Sequence, residues 1–475
     1  MTVAAAPRTR SDSAREERLP PLERLEALCD PGSFRPLRSG VVSARAGDRA
    51  LPGDGVLAGA GTVGRRPVFC YSQDPGFMGG SLGETHAETI VRVMRLAGQA
   101  RAPVVGFVES GGARLQEGHA SLAGYARIFR ESVALAGVVP QITIVSGVSA
   151  GGGAYSPALT DFVIMTERAR MFLTGPKVVR EALGEDVSME ELGGPHVHER
   201  NGVCQLVAAD ERDGARRARE LIAHLPDALG ERAPLACPAP SEADPSEPVP
   251  TDGRRVYDVR DVIESVVDGG DYLELSDRWA RNMVTAMARI DGRPVGVIAN
   301  QPRHLGGVID AVAAEKAALF VSACNRFRLP LIVLVDTPGF MPGRRQESAG
   351  VIRHGASLLR AFAGADVPRL TVVLRKAYGG AVITMNSKDL GADMVFAWPR
   401  AEIGIMAAGQ AVGIVHRRKL AENDAPDLAE ELTSAYAAEH LTADAAAASG
   451  FVDEVIDPRE THDRLAWALT AMEGR

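Results

Sequence analysis

Hydrophobic and polar positions alternate along the chain with two distinct periods. Short runs of β-branched and other apolar residues, bounded by Gly and Pro, predict strands over 103–108 and 141–145. Around them, apolar residues three and four positions apart predict helices over 79–96 and 120–136. Strands that alternate with helices are typical of a parallel sheet covered by helices, so the pattern predicts the α/β fold class.

This succession of strands and helices occurs twice in the chain. Three pairs of landmarks lie 227 positions apart: Pro67 with Pro294, Gly79 with Gly306, and Pro103 with Pro330. The spacing grows to 228 for Gly151 with Gly379, and to 232 for residues 161–163 with 393–395. A repeat of this length with a few short insertions indicates a duplicated domain, because solenoid repeats are only about 20–50 residues long.

Composition divides the chain into four stretches. Residues 1–19 are charged and rich in Ala, which predicts a disordered N-terminus. Residues 20–225 and 255–475 hold the two copies of the repeated domain. Between them, residues 226–254 are dense in Pro and acidic residues, and this composition predicts a semi-rigid, extended linker.

A glycine-rich turn follows a predicted strand in each copy. The first turn lies in Gly147–Ala158 (GVSAGGGAYSPA), and the second lies in Lys376–Met385 (KAYGGAVITM). A strand that turns sharply into a helix presents unpaired backbone N–H groups, which stabilise an oxygen that acquires negative charge. Glycine allows a ligand to approach such a backbone closely because it has no Cβ. Each copy is therefore predicted to hold one oxyanion site.

The charge and composition exclude several classes of protein. The net charge of −8 gives no general attraction for nucleic acid or for an anionic membrane surface. No run of about 18 apolar residues is present to span a membrane, and the N-terminus lacks the hydrophobic segment of a signal peptide. The five cysteines are far apart and form no CxxC pair. We therefore expect a globular protein of the reducing cytoplasm, with no nucleic-acid or membrane partner.

The segment GVSAG supports a different interpretation, since it matches the G-x-S-x-G pattern of serine hydrolases. Ser149 would be the nucleophile, and Asp161 with either His196 or His198 would complete a triad in the chain order of those enzymes. Against this hypothesis, the second copy has Ala377 in the place of Ser149. Short motifs of this kind also arise by chance.

Other polar residues have both a structural and a chemical interpretation. His196 and His198 could bind a metal, but no third ligand is evident, and we predict no metal site. Asp336–Gly339 is typical of a turn that ends a strand, and Arg417–Lys419 is either a solvated helix end or a phosphate-binding cluster. Arg114, beside two glycines, is the better anion-binding candidate, because a guanidinium at a backbone nest matches phosphate or carboxylate geometry.

Longer motifs in both copies resemble one enzyme family. The motifs are SGGARLQEG (Ser110–Gly118), SAGGGAYSPALTDF (Ser149–Phe162), LTGPKVVREALGEDVSMEELGG (Leu173–Gly194), DTPGFMPGRRQE (Asp336–Glu347), RKAYGGAVITMNSKDLGAD (Arg375–Asp393) and FAWP (Phe396–Pro399). They resemble the carboxyltransferase (β) subunits of biotin-dependent acyl-CoA carboxylases, such as acetyl- and propionyl-CoA carboxylase. The resemblance extends from about Leu22 to Asp457 with the motifs in the same order.

The resemblance implies a fold, an assembly and a set of partners. It implies two crotonase-like (ββα superhelix) domains, the first of which binds the acyl-CoA and the second biotin. It also implies a hexamer in which the first domain of one subunit faces the second domain of another. The chain has no ATP-grasp module and no biotin-accepting lysine motif. It would therefore depend on a separate biotin carboxylase and biotin carrier subunit.

The resemblance also implies roles for the two glycine turns. Gly151 and Gly152 would hold the oxygen of the CoA thioester, and Gly380 and Ala381 would hold the oxygen of biotin. In the family's mechanism the departing biotin anion takes the α-proton of the acyl group, so we name no protein base. The reaction would move a carboxyl group from carboxybiotin to the α-carbon of acetyl-CoA or propionyl-CoA, giving malonyl-CoA or methylmalonyl-CoA.

A second group of residues is expected to contact the substrate. Its members are Gly111, Gly112, Ala113, Arg114, Tyr155 and Ile383. By resemblance Ile383 lies near the acyl pocket, where an apolar residue accompanies acceptance of acetyl-CoA and an acidic one accompanies preference for propionyl-CoA. An apolar floor fills the space around a short chain without a partner, whereas a buried carboxylate must be paired. The alternative is that Ile383 is only a core residue at the start of a helix.

Two departures from the family pattern concern the local backbone. Gly153-Ala154-Tyr155 stands where the family usually has A-V-Y. Met406–Val412 (MAAGQAV) stands where many relatives have a sequence like MGAQGAV. Biotin-dependent decarboxylases and transcarboxylases share the same fold, and the sequence leaves these alternatives open. A non-catalytic scaffold would be expected to have damaged glycine turns, and both turns are intact.

Overall fold

Two eight-stranded sheets carry the fold, one in each half of the chain. The computed structural model describes residues 18–422 and 426–473, so nearly all of the predicted disordered stretch 1–19 lies outside the described residues. The described chain forms two units. The first extends to Ala223 and includes Asp227–Leu229, and the second comprises His224–Pro226 and everything from Gly230 onward.

The strands of the first unit are β1 (Arg35–Leu37), β2 (Val56–Val63), β3 (Arg66–Gln73), β4 (Val104–Ser110), β5 (Gln141–Ala150), β6 (Phe162–Thr166), β7 (Arg170–Phe172) and β8 (Leu206–Ala208). The sheet order is β1-β2-β3-β4-β5-β6-β8, and β7 pairs with the far end of β5. β1, β2 and β3 are antiparallel, whereas β3 onward is parallel. Every residue of β4 is buried, as expected for a parallel strand covered on both faces.

The helices of the first unit are α1 (Pro21–Leu28), α2 (Glu84–Ala100), α3 (His119–Leu135), α4 (Gly152–Ala158), α5 (Pro176–Leu183), α6 (Met189–Gly193), α7 (Pro195–His198) and α8 (Glu211–His224). α2 shows why these segments are helical, since Ile90, Val93, Met94 and Ala97 form one buried stripe. This stripe packs into a core with apolar residues of β2, β4 and α3. The helices therefore cover the sheet through one apolar face each.

The second unit repeats this arrangement. Its strands are β9 (Tyr272–Glu274), β10 (Met283–Ile290), β11 (Arg293–Asn300), β12 (Leu331–Thr337), β13 (Arg369–Tyr378), β14 (Met394–Ala397), β15 (Glu402–Gly404) and β16 (Glu454–Val455). The order β9-β10-β11-β12-β13-β14-β16, with β15 beside β13, matches the first sheet strand for strand. Even the isolated bridge Leu82–Ala113 recurs, as Ile309–Phe340. The predicted α/β fold built from a duplicated domain is thereby confirmed.

The helices of the second unit are α9 (Val259–Val266), α10 (Ala311–Arg326), α11 (Arg344–Ser348), α12 (Val351–Ala363), α13 (Gly380–Thr384), α14 (Ala408–Val415), α15 (Arg417–Glu422), α16 (Pro426–His440), α17 (Ala443–Ala448) and α18 (Thr461–Ala471). The sequence from Leu428 to Ala448 favours one long helix, but the structure has two, α16 and α17. The break falls at Leu441, which is buried and accepts a hydrogen bond from the Ile403 N–H, and Thr442 caps α17. Packing against β15 therefore interrupts a segment whose local sequence favours one helix.

The Pro-rich segment 226–254 is not a free linker in the structure. From Gly230 onward it belongs to the second unit. The Ala236 N–H donates to the Gly292 carbonyl at 2.9 Å, and Lys376 Nζ donates to the Gly253 carbonyl at 3.0 Å. The composition suggested a spacer, but these long-range contacts tie the segment to the second sheet.

In residues 18–422 and 426–473, no helix combines the length and apolar character needed to cross a membrane.

Candidate functional site

Each glycine turn lies where the longest strand of its sheet ends. β5 ends at Ala150, and Gly151 follows with φ 58° and ψ −121° before α4 begins. β13 ends at Tyr378, and Gly379 follows with φ 65° and ψ −148° before α13 begins. These dihedral angles are accessible to glycine and strained for other residues. The first of these strands was predicted to end at 145, but β7 pairs with the far end of β5 and extends it, as β15 does for β13.

The first glycine of each turn uses its own N–H within the sheet. The Gly151 N–H donates to the Phe172 carbonyl at 3.1 Å, and the Gly379 N–H donates to the Gly404 carbonyl at 2.9 Å. These bonds continue the pairing of β5 with β7 and of β13 with β15. The N–H of Gly151 is therefore not available to a substrate oxygen. The prediction that this N–H holds the thioester oxygen is wrong.

The next two residues of each turn carry the available donors. Among the described residues, nothing accepts a hydrogen bond from the N–H groups of Gly152, Gly153, Gly380 and Ala381. Hydrogen bonding within the helix begins at the following residue. The Ala154 N–H donates to the Gly151 carbonyl, and the Val382 N–H donates to the Gly379 carbonyl. The two free pairs are equivalent under the 228-residue offset, so Gly153 is the counterpart of Ala381. Gly153 was not predicted from the sequence as a donor, although the 228-residue offset pairs it with the predicted donor Ala381.

The space in front of the two turns differs. A Cβ placed on Gly152 would lie 2.6 Å from the ring of Tyr125, whereas a Cβ on Gly380 would meet no atom within 4 Å. The Tyr125 hydroxyl is hydrogen-bonded to Ser110 at 3.0 Å, and burial raises the pKa of Tyr125 to about 12. Gly152 is thus needed for internal packing, while Gly380 opens onto free space that a ligand can enter.

A second loop borders each turn. In the first unit the Gly111 N–H donates to the Gly79 carbonyl at 3.0 Å, and the Gly112 N–H lies 3.3 Å from Ser110 Oγ. In the second unit the Gly339 N–H lies at the same distance of 3.3 Å from Thr337 Oγ1. Gly112 and Gly339 both have positive φ, at 101° and 133°. A hydroxyl therefore fixes the same strained loop beside both turns, and the predicted contacts Gly111, Gly112 and Ala113 lie on the first of these loops.

Arg114 is a structural residue rather than an anion-binding one. Its side chain is completely buried, and its Nη1 pairs with Asp54 Oδ1 and with Glu117 Oε1, each at 2.7 Å. Its Nη2 also donates to the Ser81 carbonyl at 3.1 Å. Both terminal nitrogens of the guanidinium are thus bound to protein oxygens in a fully buried position, and the prediction that Arg114 binds a substrate anion is wrong. Its partner Asp54 lies 60 residues away, out of reach of local sequence reasoning.

Tyr155 and Ile383 occupy equivalent positions, one helical turn after each glycine turn. Both side chains are about half exposed, at 52% and 50%. The alternative that Ile383 is a core residue is therefore wrong, because half of its surface is open. Tyr155 packs its ring edge against Phe129, with the ring centroids 6.2 Å apart.

A buried carboxylate lies at the end of the central strand of each unit. Glu109 in β4 pairs with Arg24 at 2.9 Å and with Arg18 at 2.6 Å, whereas Asp336 in β12 pairs with Arg375 at 3.0 Å. Burial raises the pKa of Asp336, and Arg375 opposes that rise. Asp336 is fully buried and lies within β12, so the strand includes Asp336 and Thr337, and the turn predicted over Asp336–Gly339 begins only after them.

A cavity of about 990 Å³ adjoins the second turn. Residues 246–254 form one wall, and the end of β13 with Glu402 and Gln410 forms the other. The Tyr378 hydroxyl donates to the Glu402 carboxylate across this wall. Burial lowers the pKa of Lys376, which also lines the cavity. No pattern in the sequence indicated this cavity, because one of its walls comes from the segment with the composition of a linker.

The hydrolase hypothesis fails on the position of Ser149. Ser149 lies inside β5 rather than on the turn, its side chain is fully buried, and its Oγ contacts no hydrogen-bond partner among the described residues. Asp161 accepts a hydrogen bond from the Gln141 N–H, and His198 Nε2 lies 2.7 Å from the Met171 carbonyl. A nucleophile must reach a substrate carbonyl, and Ser149 does not.

The remaining candidate residues, His196, Arg417–Lys419 and the segment 406–412, lie in or next to helices. His196 pairs with Glu190 at 3.0 Å on the short helix α7, and Arg417–Lys419 begins α15. The departure at 406–412 leaves a regular helix, since α14 begins at Ala408 and Gly409 has no positive φ. These segments therefore add no further catalytic group to the two turns.

Comparison with known proteins places the chain in a family. The family model described as the carboxyl transferase domain matches residues 13–474. The methylmalonyl-CoA carboxyltransferase 12S subunit of Propionibacterium freudenreichii subsp. shermanii is 47% identical over 94% of this chain and 87% of its own length. The biotin-dependent acetyl-/propionyl-coenzyme A carboxylase beta5 subunit of Mycobacterium tuberculosis is 43% identical over 95% of this chain and 86% of its own length.

Two further comparisons extend this result. The methylmalonyl-CoA decarboxylase subunit alpha of Veillonella parvula is 42% identical over 95% of this chain and 90% of its own length. A solved structure of the transcarboxylase 12S hexamer, with methylmalonyl-coenzyme A and methylmalonic acid bound, superposes with a TM-score of 0.94. That structure is 45% identical and covers 98% of this chain and 91% of its own. With the duplicated fold and both glycine turns intact, this chain belongs to the carboxyl transferase family and is a carboxyltransferase of the acetyl- and propionyl-CoA carboxylase type.

Proposed function

We propose that this chain transfers a carboxyl group between biotin and the α-carbon of acetyl-CoA and propionyl-CoA. The observation that carries the proposal is the presence of two equivalent pairs of free N–H groups, Gly152 with Gly153 and Gly380 with Ala381. Carboxylation of a thioester creates an enolate oxygen, and loss of the carboxyl group from biotin leaves a second oxygen with negative charge. Two oxyanions in one reaction require two such pairs.

The chain's contribution to the reaction is electrostatic and positional. In the first unit, Gly152 and Gly153 would donate to the thioester oxygen as the α-proton leaves. In the second unit, Gly380 and Ala381 would donate to the ureido oxygen of biotin. Carboxybiotin, when bound, would supply both the carboxyl group and, through its ureido nitrogen, the base that takes the α-proton.

The open space in front of Gly380 fits a biotin ureido ring. A Cβ at this position would project into that space, while the chain itself places no atom within 4 Å. A cavity of about 990 Å³ lies in the same unit, lined by Tyr378 at the end of the strand that precedes the turn. Ile383 lies one helical turn further along, where we propose that it lines the acyl pocket. A biotin site at Gly380 and an acyl pocket beside Ile383 are compatible, because the acyl α-carbon must meet the carboxyl group carried by biotin for the bond to form.

Apolar residues around both turns support an active site shared between two copies of the chain. Each of the equivalent positions is at least half exposed: Tyr155 with Ile383, Leu173 with Ile405, Leu183 with Val415, and Leu122 with Ile352. Exposed apolar residues that cluster around a functional site are typical of an interface. We propose that the first unit of one copy faces the second unit of another within a hexamer, such as the one named for transcarboxylase 12S.

Biotin would be brought to this site by a separate carrier and charged by a separate biotin carboxylase. The printed name of the M. tuberculosis relative calls that protein biotin-dependent, which supports this requirement. We propose the cytoplasm as the compartment, in agreement with the free cysteines of the chain. The substrate is a coenzyme A thioester, and no step in the scheme requires a metal.

A complementation experiment tests the function and the shared site together. Gly153→Pro and Ala381→Pro each remove one N–H donor at a first-turn helix position that tolerates the φ of proline. We expect each variant to lose about 10²–10³-fold in kcat. When the two variants are mixed, unfolded and reassembled together, a site made from one intact turn of each chain recovers. Random pairing predicts about a quarter of the wild-type activity.

The matched control is Gly153→Ala, which adds the methyl group that Ala381 already has and keeps the N–H. We expect near-normal activity from this variant. The assay is the reverse transfer, in which malonyl-CoA or methylmalonyl-CoA loses its carboxyl group only when a free biotin derivative is present. Full activity of either proline variant would contradict the oxyanion assignment, and no recovery in the mixture would contradict the shared site alone.

Decarboxylase or transcarboxylase action is the second candidate, since relatives of both kinds align over nearly the whole chain. The half reaction at this subunit is the same in all three classes. The complete reaction with the partner proteins separates them, because only a carboxylase needs ATP and bicarbonate to charge biotin.

A further inference from the structure

Two thiols lie side by side in the first unit. Cys29 follows the last residue of α1, and its N–H donates to the Leu25 carbonyl at 3.0 Å. Cys70 lies in the middle of β3 and is fully buried. The two sulfur atoms are 4.0 Å apart, and Cys29 is only 4% exposed. Because the two residues are 41 positions apart in the chain, it is the fold that brings the thiols together.

The second unit has valines in the equivalent places. The helices α1 and α9 have the same length and the same extended backbone after the last turn, and Val267 stands where the first unit has Cys29. In the sheet, Val297 stands where the first unit has Cys70, under the 227-residue offset. Both valines belong to the apolar core of the second unit. Packing alone is therefore satisfied by two valines, and the fold does not require thiols here.

Glycines in β2 make room for the pair. A Cβ on Gly61 would lie 2.6 Å from the Cys29 sulfur, whereas the second unit has Ala288 at this position. Gly59 lies directly opposite Cys70 in the pairing of β2 with β3. Residues two apart in a strand share a face, so β2 places no side chain between the thiols at either position. The sulfur atoms of a disulfide are about 2.0 Å apart, so closure of this pair requires an approach of about 2 Å.

The surroundings make Cys29 the more reactive thiol. Arg219 of α8 donates to the Leu28 carbonyl at 2.7 Å and pairs with Asp30 at 3.0 Å, so its guanidinium lies at the end of α1. The hydrogen bond with Cys70 and the charge of Arg219 lower the pKa of Cys29, while burial and Asp30 oppose that change. The hydrogen bond with Cys29 and burial raise the pKa of Cys70 well above its usual value. Because the thiolate is the nucleophilic form, Cys29 is the attacking group of the pair.

We propose that Cys29 and Cys70 form a redox site, which a hydroperoxide oxidises to a reversible disulfide bond. The Cys29 thiolate attacks one peroxide oxygen, the O–O bond breaks, and Cys29 becomes a sulfenic acid. The Cys70 sulfur then attacks the Cys29 sulfur, the S–S bond forms, and the sulfenic oxygen leaves as water. Overall, two thiols lose two electrons and two protons, and the peroxide is reduced to two molecules of water. Exchange with a reducing thiol reverses the bond.

Peptide mapping of the full chain in its native assembly tests this site. The background is Cys237→Ser, which removes an exposed thiol that could otherwise cross-link two molecules. After treatment with hydrogen peroxide, alkylation and digestion without reductant, mass spectrometry should detect a pair of peptides that joins Cys29 to Cys70. The thiols counted in the denatured chain should fall from four to two, and dithiothreitol should restore all four.

Two single variants separate the roles of the thiols, and the second unit shows that its equivalent core accepts valine at both positions. In Cys70→Val the sulfenic acid of Cys29 has no partner thiol, so dimedone, which reacts with sulfenic acids, should label it. In Cys29→Val the remaining Cys70 should stay a thiol and take up no dimedone. Equal labelling of the two variants, or labelling of neither, would overturn the assignment of Cys29 as the attacking group.

The mapping result decides the proposal without any variant of the pair. An unchanged thiol count with no link between Cys29 and Cys70 would overturn it, and so would a link that forms only after the chain is unfolded. Neither thiol lies on a glycine turn or on the loop beside it, so untreated Cys29→Val and Cys70→Val should transfer carboxyl groups like the wild type. Failure of the redox site is therefore distinguishable from failure of the proposed function.

Discussion

Gly152 in the first unit and Gly380 in the second occupy equivalent positions, yet glycine is required there for opposite reasons. A side chain on Gly152 would collide with the Tyr125 ring at 2.6 Å, so the glycine makes room for the protein's own core. A side chain on Gly380 would enter open space, so the glycine leaves room for a ligand. The comparison shows that a repeated glycine motif does not by itself tell which of its members faces a substrate.

The duplicated units also fill the same space from different elements. In the first unit Tyr125 of α3 supplies the aromatic ring behind the loop, and the loop itself carries Ala113. In the second unit the loop carries Phe340, and α12 presents Gly355, whose added Cβ would lie 3.4 Å from the Phe340 ring. A large residue and a small residue have thus exchanged places, which conserves volume and keeps the core packed.

The buried carboxylates diverge in the same compensated way. Glu109 pairs with Arg18 and Arg24, which precede the first sheet in the chain. Asp336 pairs with Arg375 of the neighbouring strand, β13. The position equivalent to Arg375 is Gly147, and a Cβ there would lie 2.1 Å from the Glu109 carboxylate. The longer acid, Glu109, therefore occupies the space that a side chain at position 147 would need. The shorter acid, Asp336, leaves that space to Arg375. Backbone geometry around the turns is therefore preserved while the polar support beneath it is exchanged.

The largest expected effect is on carboxyl transfer and separates the two glycines. Gly380→Val should lower kcat at least a thousandfold, because the side chain blocks both donors of the second turn and each donor is worth about 3–4 kcal/mol. Its thermal unfolding should match the wild type, since the added atoms meet no protein. Gly152→Val should lose activity and stability together, with overpacking against Tyr125 costing about 1–3 kcal/mol.

Activity assays and thermal melts on both variants check this contrast. Equal melting temperatures for the two variants would remove the distinction between a packing glycine and a ligand glycine. A Gly380→Val enzyme with normal turnover would remove the second turn from the reaction.

How much of this could be predicted from the sequence depends on the range of the interaction. The repeat offsets and the strand–glycine–helix succession are local or periodic, so the duplicated α/β fold and both turns were predictable. The use of the Gly151 N–H was not, because its acceptor Phe172 lies on β7, a strand of three residues with no distinct pattern. The Arg114 guanidinium was misjudged for the same reason, since its partner Asp54 lies on a separate loop.

Lys316 is the one buried lysine among the described residues, and it lies in the second unit. Lys316 in α10 donates to the carbonyls of Ser276, Trp279 and Met283 at 2.7–2.9 Å, and its counterpart in the first unit is Thr89. Burial lowers the pKa of Lys316 to about 8. Between about pH 8 and 10.5 the unfolded chain therefore binds more protons than the folded one, and the contribution of Lys316 to the free energy of unfolding rises with pH.

The expected rise is at most about 3 kcal/mol between pH 8 and 10.5. Because buried tyrosines act in the opposite sense above about pH 10, the quantity to compare is the difference between the wild type and Lys316→Thr. Denaturant unfolding at several pH values gives this difference. A difference that is constant with pH would show that Lys316 keeps its ordinary pKa in the folded protein.

Substrate preference should respond at the second turn and not at the first. Ile383→Asp places a carboxylate beside the proposed acyl pocket, and we expect the ratio of kcat/KM for acetyl-CoA to that for propionyl-CoA to fall. The change should be partial, since differences of one methylene group are worth about 1–3 kcal/mol. The control is Tyr155→Asp at the equivalent position of the first unit. If both variants change the ratio equally, or neither does, Ile383 does not set specificity.

The smallest effect is expected at Ser149, where the two units differ by one hydroxyl group. Ser149 is fully buried, its Oγ has no partner among the described residues, and the second unit already has Ala377 at the same place in β13. Removing an unpaired buried hydroxyl leaves no orphaned partner, so Ser149→Ala should be neutral or slightly stabilising. We expect kcat within about twofold of the wild type, in contrast to the loss of about 10⁴–10⁶-fold that follows removal of a true nucleophile. Because Ala377 shows that the fold accepts alanine here, a large loss in turnover would have to come from chemistry at Ser149 and would restore the hydrolase hypothesis.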